Sequence, residues 1–408
     1  MVPGRLGLDG AGRLSERATE HLPRVEFSSP SRRTRAKVGA CPPLRARTAL
    51  LIGLLCGRAH AAETVRIAIG ERPGPVTLKG RNLAAGPDTE DGPFTPLGPG
   101  EARIRLVKGR LEVNGIVAER PAVRFRAGET DRGTGDEPIR AGGTGVRGDV
   151  VALVHRGRLL LVNVLPMEDY VAAVLGGEMP PSFPLEALRA QAVAARTYAL
   201  NKKLEMLDEP FHLGSSVLAQ VYGGMERENA RTRQATESTR GQVLTFDLEP
   251  IEAYFHSSCG GRTESGLQAL QRDLPYLQSV TCPCGRHPAT QWSAAITAEE
   301  LAAALGRDAH GEPRVQSRTA TGRVRRLQLG SWSVDGVEFR QRLGYERVRS
   351  LLFDVAPDGK GGVLLTGRGF GHGAGLCQWG AKLMADAGKD YREILLHYYP
   401  GTELQTLY

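Results

Sequence analysis

Apolar residues recur along the chain in two regimes. From Thr64 to about Val164 they come in short runs: Val65-Arg-Ile-Ala-Ile69, Ala102-Arg-Ile-Arg-Leu-Val107 and Leu159-Leu-Leu-Val-Asn-Val164. Such runs, alternating or continuous, mark strands, and the clusters between them (Ala85-Gly-Pro-Asp88, Gly98-Pro-Gly100) carry turn residues. Gly128–Gly148 is polar and Gly-rich and reads as a flexible loop.

Helical spacing begins at Pro166. Pro followed by Glu168 and Asp169 suits a helix N-terminus, and Gly176-Gly177 reads as its stop. A second helix is expected from Ser182 or Pro184 to about Lys203, with Leu185, Leu188, Ala192, Ala195 and Ala199 on one face. Six Ala between Ala187 and Ala199 imply close packing on both flanks, which sets Arg189, Gln191, Arg196 and Tyr198 beside a buried stripe. Strands follow at Val243–Phe246, Ile251–Phe255, Val324–Leu329 and Val363–Thr366. Helices follow at Ile296–Leu305, capped by Thr297, at Leu376–Ala387 and at Tyr391–Tyr398. There is no internal repeat. The fold class is α+β, with a strand-rich region over 63–159 and a mixed α+β core over 160–408.

Charge alters the picture at one end only. The chain of 408 residues carries a net +8, which by itself invites a nucleic-acid or anionic-membrane partner. Residues 1–62 hold eleven of the basic groups and four of the acids, leaving 42 basic and 41 acidic groups after them. The case for nucleic acid therefore goes. The same leader contains the apolar segment Ala49–Gly57, preceded by Arg45 and Arg47 and followed by Ala59-His-Ala-Ala62, the pattern of a secretory signal peptide cleaved near Ala61-Ala62. It is far short of the ~20 apolar residues of a membrane span. Leu55 before Cys56 argues against a lipid-attachment site. Residues 1–44 are too long for a signal n-region and read as an over-extended gene start. The expectation is an exported protein of the periplasm or cell wall, without a transmembrane anchor.

Four constellations carry candidate chemistry. Glu178, in Gly176-Gly-Glu-Met-Pro180, stands between a helix stop and a Pro-Pro helix start, where a loop carboxylate is either a pre-positioned general acid/base or an ordinary capping or exposed Glu. Phe255-His-Ser-Ser-Cys-Gly-Gly261 sets His256, Ser257 and Cys259 at a strand end, a substrate cradle or metal site rather than a serine-hydrolase elbow. Cys259, Cys282, Cys284 and His287 offer soft ligands in two short clusters, for a structural zinc or, in an oxidising compartment, a disulfide; Cys377 reads as a small buried residue. Gly367–Gly380 surrounds His372 with glycines and ends in Gln378 and Trp379, a close backbone approach to a ligand or a tight turn into a helix.

Together these segments resemble the stage II sporulation protein D / LytB family, through Leu165–Pro180, Ala187–Ala199, Phe255–Gly261, Pro275–Val280, Gly369–Ala381 and Ile394–Gly401. The resemblance implies a peptidoglycan-acting protein whose catalytic glutamate, as in a lytic transglycosylase acting on glycan strands stripped of peptide, matches Glu178. By likeness Gln191, Arg196, Tyr198, His256, Ser257, His372 and Gln378 line the glycan groove. Some relatives bind zinc near the positions of Cys259, Cys282 and Cys284. The LytB branch implies another role, a glycan-binding modifier of a cell-wall amidase.

Overall fold

The computed structural model describes residues 63–89, 91–128, 138–214, 222–306 and 311–408. The leader, its apolar segment 49–57 and the cleavage site lie outside them, as does 129–137 of the expected loop. The described chain is α+β. Its helices are α1 (Met167–Glu178), α2 (Leu185–Glu205), α3 (Ala230–Glu237), α4 (Gly266–Leu270), α5 (Ala298–Leu305), α6 (Gly336–Leu343), α7 (Gln378–Asp386) and α8 (Tyr391–Tyr398). None of the described helices is long and apolar enough to cross a membrane.

The strand-rich region forms a six-stranded sheet and most of a seven-stranded one, to which Leu213–Gly214, after α2, adds a parallel edge strand. At the heart of the seven-stranded sheet, strand Arg158–Pro166 pairs antiparallel with both Thr64–Arg72 and Asp149–His155. It straddles the expected division at 159/160. Successive side chains on a strand point to opposite faces, and here both faces are covered. Leu159, Leu161 and Leu165 enter the main core, while Leu160, Val162 and Val164 pack with Val151 and Leu153 on the other side. That is why the run is apolar without alternation. Its one polar member, Asn163, donates to the carbonyls of Arg147 and Asp149 and accepts from the Tyr222 hydroxyl.

Three local expectations are corrected. Gly128–Gly148 is not wholly loop: Ile139–Ala141 and Thr144–Val146 form a hairpin that joins the six-stranded sheet. The stretch before Phe255 is not a strand; only Phe255–His256 pairs. Gly176-Gly177 does not end α1, which continues through Glu178. A Cβ on Gly176 would lie 1.8 Å from the Arg227 carbonyl oxygen, so this glycine serves the close approach of the 3-10 turn Gly224–Arg227 rather than a left-handed cap.

The main core runs unbroken from the N-terminal strands through α1, α2, α7 and α8. A second, separate core lies within 291–368, which the sequence reading did not anticipate as a unit. Trp292, Ile296, Leu301, Leu327, Phe339, Phe353 and Leu365 are among its members, and two three-stranded sheets with α5 and α6 enclose it. Its first and last strands pair, Gln291 opposite Arg368, so the unit leaves and rejoins the main body at one place. As expected, Thr297 caps α5, with a reciprocal bond from Glu300.

Candidate functional site: a carboxylate, two histidines and a four-cysteine cluster

Two segments separated by about 120 residues meet in one short parallel pairing, Phe255 opposite Leu376 and His256 opposite Cys377. The Ser257 carbonyl then accepts the Trp379 amide at 3.0 Å, which sets the start of α7. Gln378, the first residue of that helix, donates from Nε2 to Glu178 Oε2 at 3.2 Å. Glu178 is half-buried as the last residue of α1, held by a helix rather than standing on a loop. Its charge, after burial itself, raises the hydroxyl pKa of the neighbouring Tyr170 well above the ordinary value.

The imidazoles lie edge to face, centroids 5.4 Å apart. His256 Nδ1 donates to the Ala374 carbonyl at 3.0 Å, which makes Nε2 the acceptor nitrogen of a neutral ring. Burial, reinforced by His372, holds its pKa well below the usual range. His372 accepts the Ala374 amide at Nδ1 and donates from Nε2 to the Phe255 carbonyl; burial pushes its pKa down to about 4. Both rings are therefore neutral at pH 7. Tyr254 links His372 to Tyr198 by ring contacts of 6.0 and 5.5 Å, and burial pushes the Tyr198 hydroxyl up to about 12.

Among the described residues, His256 Nε2 at this site and both amide atoms of the fully buried Gln191 on α2 are without a hydrogen-bond partner. Unpaired buried groups are costly, and at a site they mark places where a ligand group or water would bond.

Arg196 is corrected. It is fully buried and forms a bidentate pair with Glu168, Nε–Oε1 2.9 Å and Nη2–Oε2 2.5 Å. Glu168 also accepts from the Gly241 amide and the Tyr408 hydroxyl. The reason is helical geometry: Gln191 and Tyr198, seven apart, share a face of α2, whereas Arg196 is rotated about 140° from Gln191. Arg196 is a structural cation, not a groove residue.

The cysteine set is corrected too. Cys259, Cys282, Cys284 and Cys377 bring their sulfurs within 4.8 Å of one another, all as free thiols. His287 is not in the cluster. Its Nδ1 accepts the Ala289 amide and its ring lies 4.4 Å from that of Trp379. Cys377, read as a small buried residue, takes the fourth corner. The signal was countable: beyond residue 62 the chain contains four Cys and all four converge.

The cluster fits a tetrahedral ion. Zinc–sulfur bonds of about 2.3 Å place sulfurs about 3.8 Å apart; Cys259–Cys284 and Cys284–Cys377 stand at 3.4 and 3.7 Å. The Cys259 and Gly380 amides donate to Cys377 Sγ, as amides do to thiolates. The four thiols titrate as a coupled set: hydrogen bonds from Cys259, Cys282 and Cys377 hold Cys284 below its ordinary pKa, while hydrogen bonds from Cys282 and Cys284 push Cys259, and burial pushes Cys377, above theirs. The buried Arg323 donates to the Cys259 carbonyl at 2.9 Å and sets a positive charge beside the sulfurs.

The model of the family described as stage II sporulation protein matches residues 155–246. Stage II sporulation protein D of Bacillus subtilis is 31% identical over 288 residues, 66% of this chain and 83% of the relative. The chain belongs to the stage II sporulation protein D / LytB family. An uncharacterized protein of Brachyspira hyodysenteriae is 35% identical over 263 residues, 63% of this chain and 71% of that protein. The amidase enhancer of Bacillus subtilis is 30% identical over 286 residues, 57% of this chain and 39% of the enhancer. The segment matched by the family model holds Glu178, Gln191 and Tyr198; the histidines, the cysteines and Gln378 lie beyond it.

Proposed function

We propose that the chain is an exported lytic transglycosylase that cleaves peptide-free peptidoglycan strands, with Glu178 as its single general acid/base. Kinship with the stage II sporulation protein D / LytB family supports a cell-wall-related role, and the leader sequence supports export. The observation that carries the enzymatic reading is the placement of Glu178, half-buried at the end of α1 with Gln378 Nε2 donating to its Oε2 at 3.2 Å. The acids nearest to it in sequence on α1 are engaged elsewhere, Glu168 with Arg196 and Asp169 with Arg233 at 3.3 Å. A glycoside hydrolase pairs two carboxyls about 5–9.5 Å apart. A transglycosylase manages with one.

Protonated Glu178 gives its proton to the glycosidic oxygen that follows N-acetylmuramic acid, and the C1–O bond breaks. The C6 hydroxyl of the same sugar attacks C1 and returns its proton to the carboxylate, closing a 1,6-anhydro ring. Gln378 orients the carboxylate, and Gln191 and His256 meet sugar hydroxyls or amides with their unpaired atoms. Zinc held by Cys259, Cys282, Cys284 and Cys377 would be structural in this reading, fixing the loop that leads into Gln378.

Incubation with peptide-free glycan strands, followed by mass spectrometry, tests the reading. Wild type should release 1,6-anhydromuramyl products and Glu178→Gln should release none. The amidase enhancer's similarity favours one other role, a glycan-binding stimulator of a cell-wall amidase. Binding without products in both proteins would sink the enzyme and leave that role.

A further inference from the structure

Beside Glu178 lies an aromatic group that the proposed chemistry does not use. Phe183, five residues past Glu178, packs edge-on to Trp379 with centroids 5.2 Å apart, and His287 lies against the same indole at 4.4 Å. Each member is pinned by backbone. The Phe183 amide donates to the Pro180 carbonyl and its carbonyl accepts Arg231 Nη2; the Trp379 amide is held by Ser257. Phe183 is buried, whereas Trp379, beside the residue that touches Glu178, and His287 are only half-buried. The His287 Nδ1 accepts the Ala289 amide, which leaves Nε2 as the ring's donor nitrogen. Lys382 Nζ stands 6.0 Å from the Phe183 ring centroid, one turn along α7.

Rigid aromatic surface edged by a few polar donors is what the C–H face of a pyranose ring binds: the ring packs flat while its rim hydroxyls take the hydrogen bonds. We propose that Trp379, backed on one face by His287 and edged by Phe183, is a sugar-stacking platform that offers its other face to a ligand. It holds a pyranose of the glycan strand adjoining the bond presented to Glu178, with His287 Nε2–H at its rim. The inference rests on the glycan reading of the site and deepens it. His287 thereby acquires a role in substrate recognition, in place of the metal ligation its spacing had suggested.

Platform contacts act on bound substrate and transition state alike, so their loss raises KM and leaves kcat nearly unchanged. The test is calorimetric binding of peptide-free N-acetylglucosamine–N-acetylmuramic acid oligosaccharides to the full chain carrying Glu178→Gln, with further substitutions on that background. Trp379→Ala should weaken binding roughly three- to tenfold, Trp379→Phe less, and His287→Ala measurably with zinc content unchanged. In otherwise wild-type protein the same losses should appear in KM. If Trp379→Ala and His287→Ala, both folded, bind within about twofold of their parent, the platform is overturned while the glycan reading stands. No binding by the Glu178→Gln parent overturns both. Should Trp379→Ala fail to fold, Trp379→Phe and His287→Ala decide the matter.

Discussion

Arg196 shows how one residue type in one pattern serves two ends. Beside an Ala-rich stripe, an arginine either reaches a ligand or satisfies a buried carboxylate, and helix phase decides for Glu168. Removing one partner of a buried pair strands the other charge, at about 3–5 kcal/mol. Arg196→Ala should therefore lower unfolding free energy by about that amount in urea titration. Glu178→Gln, at a half-buried position with a carboxamide of the same shape, should stay within about 0.5 kcal/mol of wild type. A second residue-level consequence concerns acid. The half-buried His372 and His212, both pushed down to about 4, titrate near 6.5 once unfolded. Between those values the unfolded chain binds more protons, so stability rises with pH through this window, is complete above about 6.5 and falls as the pH drops toward 4. Thermal unfolding from pH 7.5 to 4 should show that slope. His212→Asn should flatten it.

Elements were legible where a side chain caps or a face repeats. Thr297 before Glu300 fixed the start of α5, Asp390 before Glu393 does the same for α8, and the spacing of Leu185, Leu188, Ala192, Ala195 and Ala199 located α2. They were illegible where the cause is a distant backbone. Gly176-Gly177 looked like a helix stop because local chemistry cannot reveal that the Arg227 carbonyl lies against Gly176. The hairpin within 138–146 was hidden likewise, since it joins its sheet only where Ile139–Ala141 pairs with Val76–Lys79, more than 60 residues earlier. Gly176→Ala carries the consequence into function. Its Cβ must drive the turn Gly224–Arg227 away from α1, a small-to-large strain of about 1–3 kcal/mol, and tilt the last turn that presents Glu178. Turnover should fall more steeply than glycan affinity in this variant, measured by product release and calorimetry on one preparation.

At the scale of the whole molecule, the cysteines join what sequence distance separates. Cys259 follows the His256 strand, Cys282 and Cys284 lie in the loop leading to the 291–368 unit, and Cys377 closes the glycine-rich return from it. The convergence was half legible: a cysteine in an isolated Gly-rich segment resembles any small buried residue until the parallel pairing of His256 with Cys377 brings it alongside Cys259 and Cys284. Metal there would clamp both connections of the inserted unit to the strand that positions Gln378. Glycines show how tightly the clamp is built: a Cβ on Gly380 would sit 2.4 Å from Cys282 Sγ and 2.0 Å from the Tyr398 hydroxyl. One zinc per chain is therefore expected by elemental analysis, retained by His287→Ala and lost by Cys377→Ser. Because an ion bound only by the folded state stabilises it by mass action, chelation should lower the unfolding temperature and zinc should restore it. Product formation should decline with the metal, through misplacement of Gln378, while Glu178→Gln keeps its zinc and its melting temperature. Full zinc occupancy in Cys377→Ser would move the fourth ligand elsewhere. Absence of zinc, with fewer than four titratable thiols in protein purified from an oxidising compartment, would replace the metal by a disulfide.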